Sequence, residues 1–321
     1  MVNALEIAKV MVKPAEKLID NISNAIGKVY EPFHIKRIAD AKSYEIRKIS
    51  ESLVDCSFVP IQYENDCVSM NTADWDDLVK RTHNRLGYQE ICKQLNIEKV
   101  VYNAYSLLEN ADEVENNPID HDWLNRLFNC VEDISNDDMS MLWAKVLAGE
   151  TMFSNSFSLR TLETLKNLSQ HEALLFKKLS KYMLKTKDDV SNKEAAFVLS
   201  GMFGGYDNKE YIDLDYEDIL TLIDAGIIRT NDNTVLYFDL EAHHTETIWC
   251  QDRKILISNK KDSKRSFTIR PYGLTAAGEE LLKIVEDFHD KISDKYLEKC
   301  KSIIMSSQGI DNSQNIEISI I

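Results

Sequence analysis

A mainly α-helical protein with a small β component is what this chain predicts, on three observations. Four capped segments between residues 118 and 183 carry apolar residues at helical spacing. A heptad-like alternation of small and aliphatic residues runs from Ala4 to Val29. After residue 184, short helical patterns give way to β-rich runs and then a closing helix, the order of a winged-helix-like module. The expected organisation is a helical extension over 1–54, a linker over 55–75, a central helical bundle over 76–183, a winged-helix-like module over 184–305 and a tail over 306–321.

The central block is the best-marked part. Asp120 is a good N-cap, and Trp123, Leu124, Leu127, Phe128, Val131 and Ile134 follow on one face. Ser135, with Asp138 three residues on, is expected to open a second helix. Its stripe is Met139, Leu142, Trp143, Val146 and Leu147, with Gly149 expected as the C-cap. Leu159, Leu162, Leu165 and Leu168 predict a short third helix. Ser169 and Glu172 form a capping box for a fourth, through Leu175, Phe176, Leu179, Tyr182 and Met183. The two tryptophans are expected in the core. Helix capping accounts for the acids at Glu132, Asp133, Asp137 and Asp138 without a metal.

The run DWLNRLFNCVEDISNDDMSMLWAKVLAGE, followed by FSLRTLETLKNLSQHEALLF, resembles an uncharacterised bacterial domain-of-unknown-function family. That family is often met in prophage neighbourhoods and is similar to the abortive-infection alpha proteins. The segment KPAEKLIDNISNAIGKVYEP at 13–32 resembles its beginning, and the chain departs from the family pattern at about 55–75. The resemblance implies phage defence and brings no catalytic residues.

At 321 residues the chain has room for two modest domains and an extension. With 53 acids against 38 bases the net charge is −15, so nucleic acid and anionic membranes repel the protein as a whole. Six scattered cysteines, Cys56, Cys67, Cys92, Cys130, Cys250 and Cys300, form no CxxC pair, which suits reduced thiols in a cytoplasm. No stretch has the composition of a signal peptide or the length of a membrane span.

In the N-terminal helix, Ala4, Ala8, Met11, Ala15, Leu18, Ile22, Ala25 and Val29 alternate spacings of four and three, and Leu5, Val12, Ile19 and Ile26 widen the stripe. A continuous helix there would reach roughly 40 Å. Pro14 would kink it or start a new helix. Three readings stay open: contact between copies in a homo-oligomer, packing onto the protein's own body, or an amphipathic segment on the inner-membrane surface. The contact residues would be Leu5, Ala8, Met11, Val12, Ala15, Leu18, Ile19, Ile22 and Ile26.

Beyond the linker, Asp74 is expected to cap a helix running to Leu108, with Gly87 as an interruption. The C-terminal module is read as helices at about 191–202 and 215–225, then strands at IIRT, TVLYFDL, a long TIWCQDRKILISN and SFTIR, closed by a helix that Thr275 caps. Tyr211 to Gly226 carries Asp213, Asp215, Glu217, Asp218 and Asp224 without a Lys or Arg, so it cannot serve as a DNA recognition helix. The wing is basic: Arg253, Lys254, Lys260, Lys261, Lys264, Arg265 and Arg270 are candidate contacts for nucleic acid or an acidic partner. The tail, with Ile316, Ile318 and Ile320 alternating, reads as an added edge strand or a frayed end.

No P-loop, GxGxxG, GxSxG or HExxH occurs. His243, His244 and Cys250 lack the second spaced pair of a zinc site. No cofactor or metal is expected. The expectation is a non-enzymatic, oligomeric interaction protein of the cytoplasm. The alternatives are a nucleic-acid regulator acting through the wing and a peripheral membrane effector using the first helix.

Overall fold

The computed structural model describes residues 11–26, 72–187, 194–203, 210–229, 235–285, 291–307 and 316–321. The chain divides into two compact units, Met1–Ser156 and Phe157–Ile321. The four helices read as one central block fall two to each unit. Leu5 and Ala8, residues 27–54 and most of the expected linker lie outside the described residues, as do Cys56 and Cys67.

The first unit holds β1 (Met11–Val12), α1 (Pro14–Ile26), α2 (Thr72–Leu108), β2 (Val114–Glu115), α3 (His121–Val131) and α4 (Asp137–Met152). The expected single helix does not pass through residue 11: Met11 pairs with Glu115 and Val12 with Val114, antiparallel, and the helix starts at Pro14. Proline disfavours helical backbone at the residue before it and is preorganised for the first helical position. Nor is α2 interrupted: it runs through Gly87. A glycine costs a helix interior only about 1 kcal/mol against alanine.

Asp120 caps α3, accepting from Trp123 N at 2.8 Å. The cap of α4 is Asn136, not Ser135, and accepts from Met139 N at 3.0 Å. Gly149 is inside that helix, which continues to Met152. Beyond it the buried Glu150 carboxylate accepts from Asn155 N at 2.5 Å and Ser156 N at 2.9 Å, so a side chain rather than a terminal glycine shapes the turn.

The second unit is mixed α and β. Its helices are α5 (Leu159–Asn167), α6 (Gln170–Ser180), α7 (Tyr216–Asp224), α8 (Ala276–Val285) and α9 (Asp294–Met305). Its strands are β3 (Leu184–Lys187), β4 (Glu194–Leu199), β5 (Leu236–Leu240), β6 (Thr245–Cys250), β7 (Arg253–Asn259), β8 (Arg265–Ile269), β9 (Pro271–Gly273) and β10 (Ile316–Ile320). Six of them form an antiparallel sheet in the order β10-β7-β6-β3-β4-β9, and β5 and β8 form a separate pair. The β component is therefore larger than expected.

Two readings of the module change. In place of the helix expected at 191–202, the described residues form β4 and then a 3-10 turn at Ser200–Met202; in β4, Phe197, Val198 and Leu199 are buried and pair with Gly273, Tyr272 and Pro271. That partner lies far along the chain, and tertiary pairing overrides local propensity. The long strand at 247–259 is a hairpin that reverses at Gln251, with φ +54°. A two-residue turn normally carries Asn or Gly there, so the sequence gives no turn signal.

The closing helix is as expected. Thr275 Oγ1 accepts from Gly278 N at 3.0 Å and donates to Gly226 O at 2.6 Å. Gly278 is required there, because a Cβ would lie 2.3 Å from the Ile227 carbonyl oxygen. The tail is an edge strand of this chain's own sheet, with Ile318 buried. Asn259 knits the loops at one end of β7. Its Nδ2 lies 3.1, 3.0 and 2.9 Å from the carbonyls of Leu240, Glu241 and Ser263, and its Oδ1 accepts from Lys261 N at 3.0 Å.

Replacing the buried Asn259 with leucine removes all four of these bonds, and urea unfolding will register a loss of about 2–4 kcal/mol. Burial pushes the Cys250 thiol up to about 12 and raises Cys300 and Tyr296 as well. The folded form then holds protons that the unfolded chain releases from about pH 9, so stability falls as pH rises from there toward 12. Thermal melts across that range will show it, and alkylation at pH 8 followed by peptide mapping will leave Cys250 and Cys300 unlabelled until denaturant is added.

Candidate interaction surfaces

The seven cations expected to make a basic wing do not form one patch. Arg253 and Lys254 stand at one end of β7, and Lys260, Lys261 and Lys264 lie beyond the other. At about 3.4 Å per residue the two ends are roughly 20 Å apart. Three of the seven already have carboxylate partners: Arg253 lies 2.9 Å from Asp294, Lys260 2.9 Å from Glu317, and Lys264 3.0 Å from Asp239 and 3.2 Å from Glu241. Hydrogen bonds to Asp239 and Glu241 hold the Lys264 ammonium above its usual value, and bonds from Ser266 and Lys264 hold the Asp239 carboxyl below its own. Arg265 begins β8. Arg270 opens on a recess of about 230 Å³, also lined by Ser200, Thr268, Ser306 and Ser307. Ser200 Oγ donates to the Arg270 carbonyl at 2.5 Å.

His243, with φ +59°, turns to Asp262 at 2.8 Å, while Cys250 is in the core. Among the described residues no group of three or more His, Cys, Asp or Glu side chains is placed to hold a metal ion. No described helix is long and apolar enough to cross a membrane.

The 37 residues of α2 give it a length of about 55 Å at 1.5 Å per residue. Its second half belongs to the unit's core through Val100, Val101, Ala104 and Leu108. Polar ties reinforce that half: Asn96 Nδ2 donates to Glu132 O at 2.7 Å, Lys93 lies 3.1 Å from Glu132, and Lys99 reaches Ser135 O and Asp137. From Asp77 to Glu90 no residue is buried. Leu78, Leu86 and Tyr88 are 44, 49 and 57% exposed in that half. They stand among Asp77, Lys80, Arg81, Arg85 and Glu90, a mixed set of charges. Periodicity alone does not tell how far a long helix outruns its core.

The described middle of the N-terminal stripe packs inside its own unit. Ala15, Leu18 and Ile22 are 8, 0 and 0% exposed, and α1 packs on α2, α3 and α4. The chain's own helices cover those three side chains. Ile19 is half-buried, Ile26 ends the helix, and Met11 and Val12 are strand residues, Met11 exposed. Asn21 secures the packing: its Oδ1 accepts from Ile119 N at 3.0 Å, just before α3. Leu18→Ala will therefore act as a core mutation. It will lower stability by about 2–5 kcal/mol in a denaturant titration, with no change in the mass of the folded species by light scattering.

None of the curated proteins and none of the solved structures matches the chain. A family model does match, over residues 80–300, from within α2 to within α9. That is well over half of the 321 residues, and the chain belongs to the family described as protein of unknown function (DUF2806).

Proposed function

We propose that this is a non-enzymatic assembly protein whose copies associate through the first half of α2, and that the assembled form serves an abortive-infection-like response to phage. The observation that carries the first part is the exposed half-helix itself. Leu78, Leu86 and Tyr88 present apolar and aromatic surface on a rigid rod, the kind of residues that anchor protein interfaces. Acids flank the cations around them, with Asp77 and Glu90 on either side of Lys80, Arg81 and Arg85 and Arg81 lying 3.0 Å from Asp77, so the surface offers both signs to another protein. The separation of the wing cations and their carboxylate partners count against nucleic acid, whose binding rests on uncompensated positive charge. The defence role is supported only through the family that residues 13–32 and 118–176 resemble, itself similar to the abortive-infection alpha proteins.

Leu86→Glu combined with Tyr88→Glu tests the reading, since exposed positions tolerate substitution with little effect on folding. Sedimentation velocity will show the assembled mass falling while circular dichroism stays unchanged, and protection of a bacterial host against phage will fall with it. An unaltered mass rejects association through α2. Loss of mass without loss of protection rejects the defence role.

A further inference from the structure

The large sheet ends differently on its two sides. At one end β9 is three residues long, begins with Pro271 and is followed by the bridge Leu274 makes with Ile228. Short length and proline are the usual ways of closing a sheet edge. At the other end β10 runs Ile316-Glu317-Ile318-Ser319-Ile320, without proline or glycine, and among the described residues β7 is its single strand neighbour.

Ladder parity says which groups β10 leaves open. Ile321 exchanges both backbone bonds with Lys254, at 2.8 and 2.9 Å. The register Ser319↔Leu256 and Glu317↔Ser258 continues those hydrogen-bonded pairs at every second residue. Asn259 N confirms the parity from the other side, bonding to His244 O across β6 at 2.9 Å. The N–H and C=O groups of Ile316, Ile318 and Ile320 therefore point away from β7, toward the open edge.

We propose that β10 pairs antiparallel with β10 of a second copy about a two-fold axis at Ile318, joining two six-stranded sheets into one. The strand is self-complementary in that register. Ile318 meets Ile318 of the second copy, and Ile316 meets Ile320. All three outward-facing residues become hydrogen-bonded pairs, and their side chains extend one continuous aliphatic face. On the opposite face Glu317 meets Ser319, so no like charges oppose each other. A two-fold contact of this kind needs one patch complementary to itself, which a near-palindromic strand supplies. Glu317 is held by Lys260 within its own chain, which removes the strand's single charge as an obstacle. The inference rests on the self-association proposed above and adds a second contact, so the assembly exceeds a dimer.

Sedimentation velocity of the full chain over a range of concentrations tests it, with Ser319→Lys, Ser319→Glu and Ile316→Pro compared with the unaltered protein. Ser319→Lys sets an ammonium opposite Glu317 of the other copy twice over and will tighten the β10 contact several-fold; Ser319→Glu sets like charges there and will weaken it about tenfold. Ile316→Pro removes an outward N–H at the first residue of the strand, leaving the bonds to β7 in place, and will reduce the assembly to what the α2 contact holds. Charge variants that shift the assembly in the same direction would overturn edge pairing. So would an assembled protein indifferent to all three changes, though self-association would then stand on another surface. An unaltered protein that sediments as a single copy throughout would sink both.

Discussion

Backbone pairing between residues far apart in sequence is the constraint on which the C-terminal unit depends. β9 returns to β4 after four intervening strands, and β10 returns to β7 after two further helices. Once those ladders form, the interior follows. Cys250 and Cys300 are sealed beneath them as neutral thiols, and Tyr296 is buried with its hydroxyl donating to Tyr182 O at 2.5 Å. Asn259 gathers three loop carbonyls at the end of β7, that of Leu240 in the buried interior. The same alternation that satisfies every second residue of β10 leaves the others facing outward.

The N-terminal unit is held differently, by side chains. Leu18 and Ile22 meet the buried half of α2 and the hairpin of α3 and α4, while Asn21, Asn96 and Lys99 tie the connecting loops to helices. A core this small covers only part of a helix about 55 Å long. The uncovered half is rigid because it continues a helix anchored elsewhere, and rigidity reduces the entropy lost on docking. Both candidate contacts thus arise where an element extends past the core that formed it.

The net charge of −15 repels polyanions from the chain as a whole, and several described cations are drawn into local pairs, Lys260 with Glu317, Lys264 with Asp239 and Lys295 with Glu210. The family match stops within α9, so β10 and α1 both lie outside it.

Helices and their caps were legible in the sequence because they are set locally. Asp120, the Ser169–Glu172 box and Thr275 act on amides within three residues of themselves, and apolar spacing marks the buried faces of α3 and α6. The start of α1 at Pro14 follows from one residue's covalent geometry. Only the tertiary structure decided where those faces go. The stripe of Ala15, Leu18 and Ile22 has the same spacing whether it meets its own unit, a second copy or a membrane. β4 is a strand because Tyr272 and Pro271 arrive beside it, and β10 leaves an edge open because nothing described lies beyond it. Periodicity identifies a face that must be covered; what covers it depends on contacts between distant parts of the chain, which no local pattern encodes.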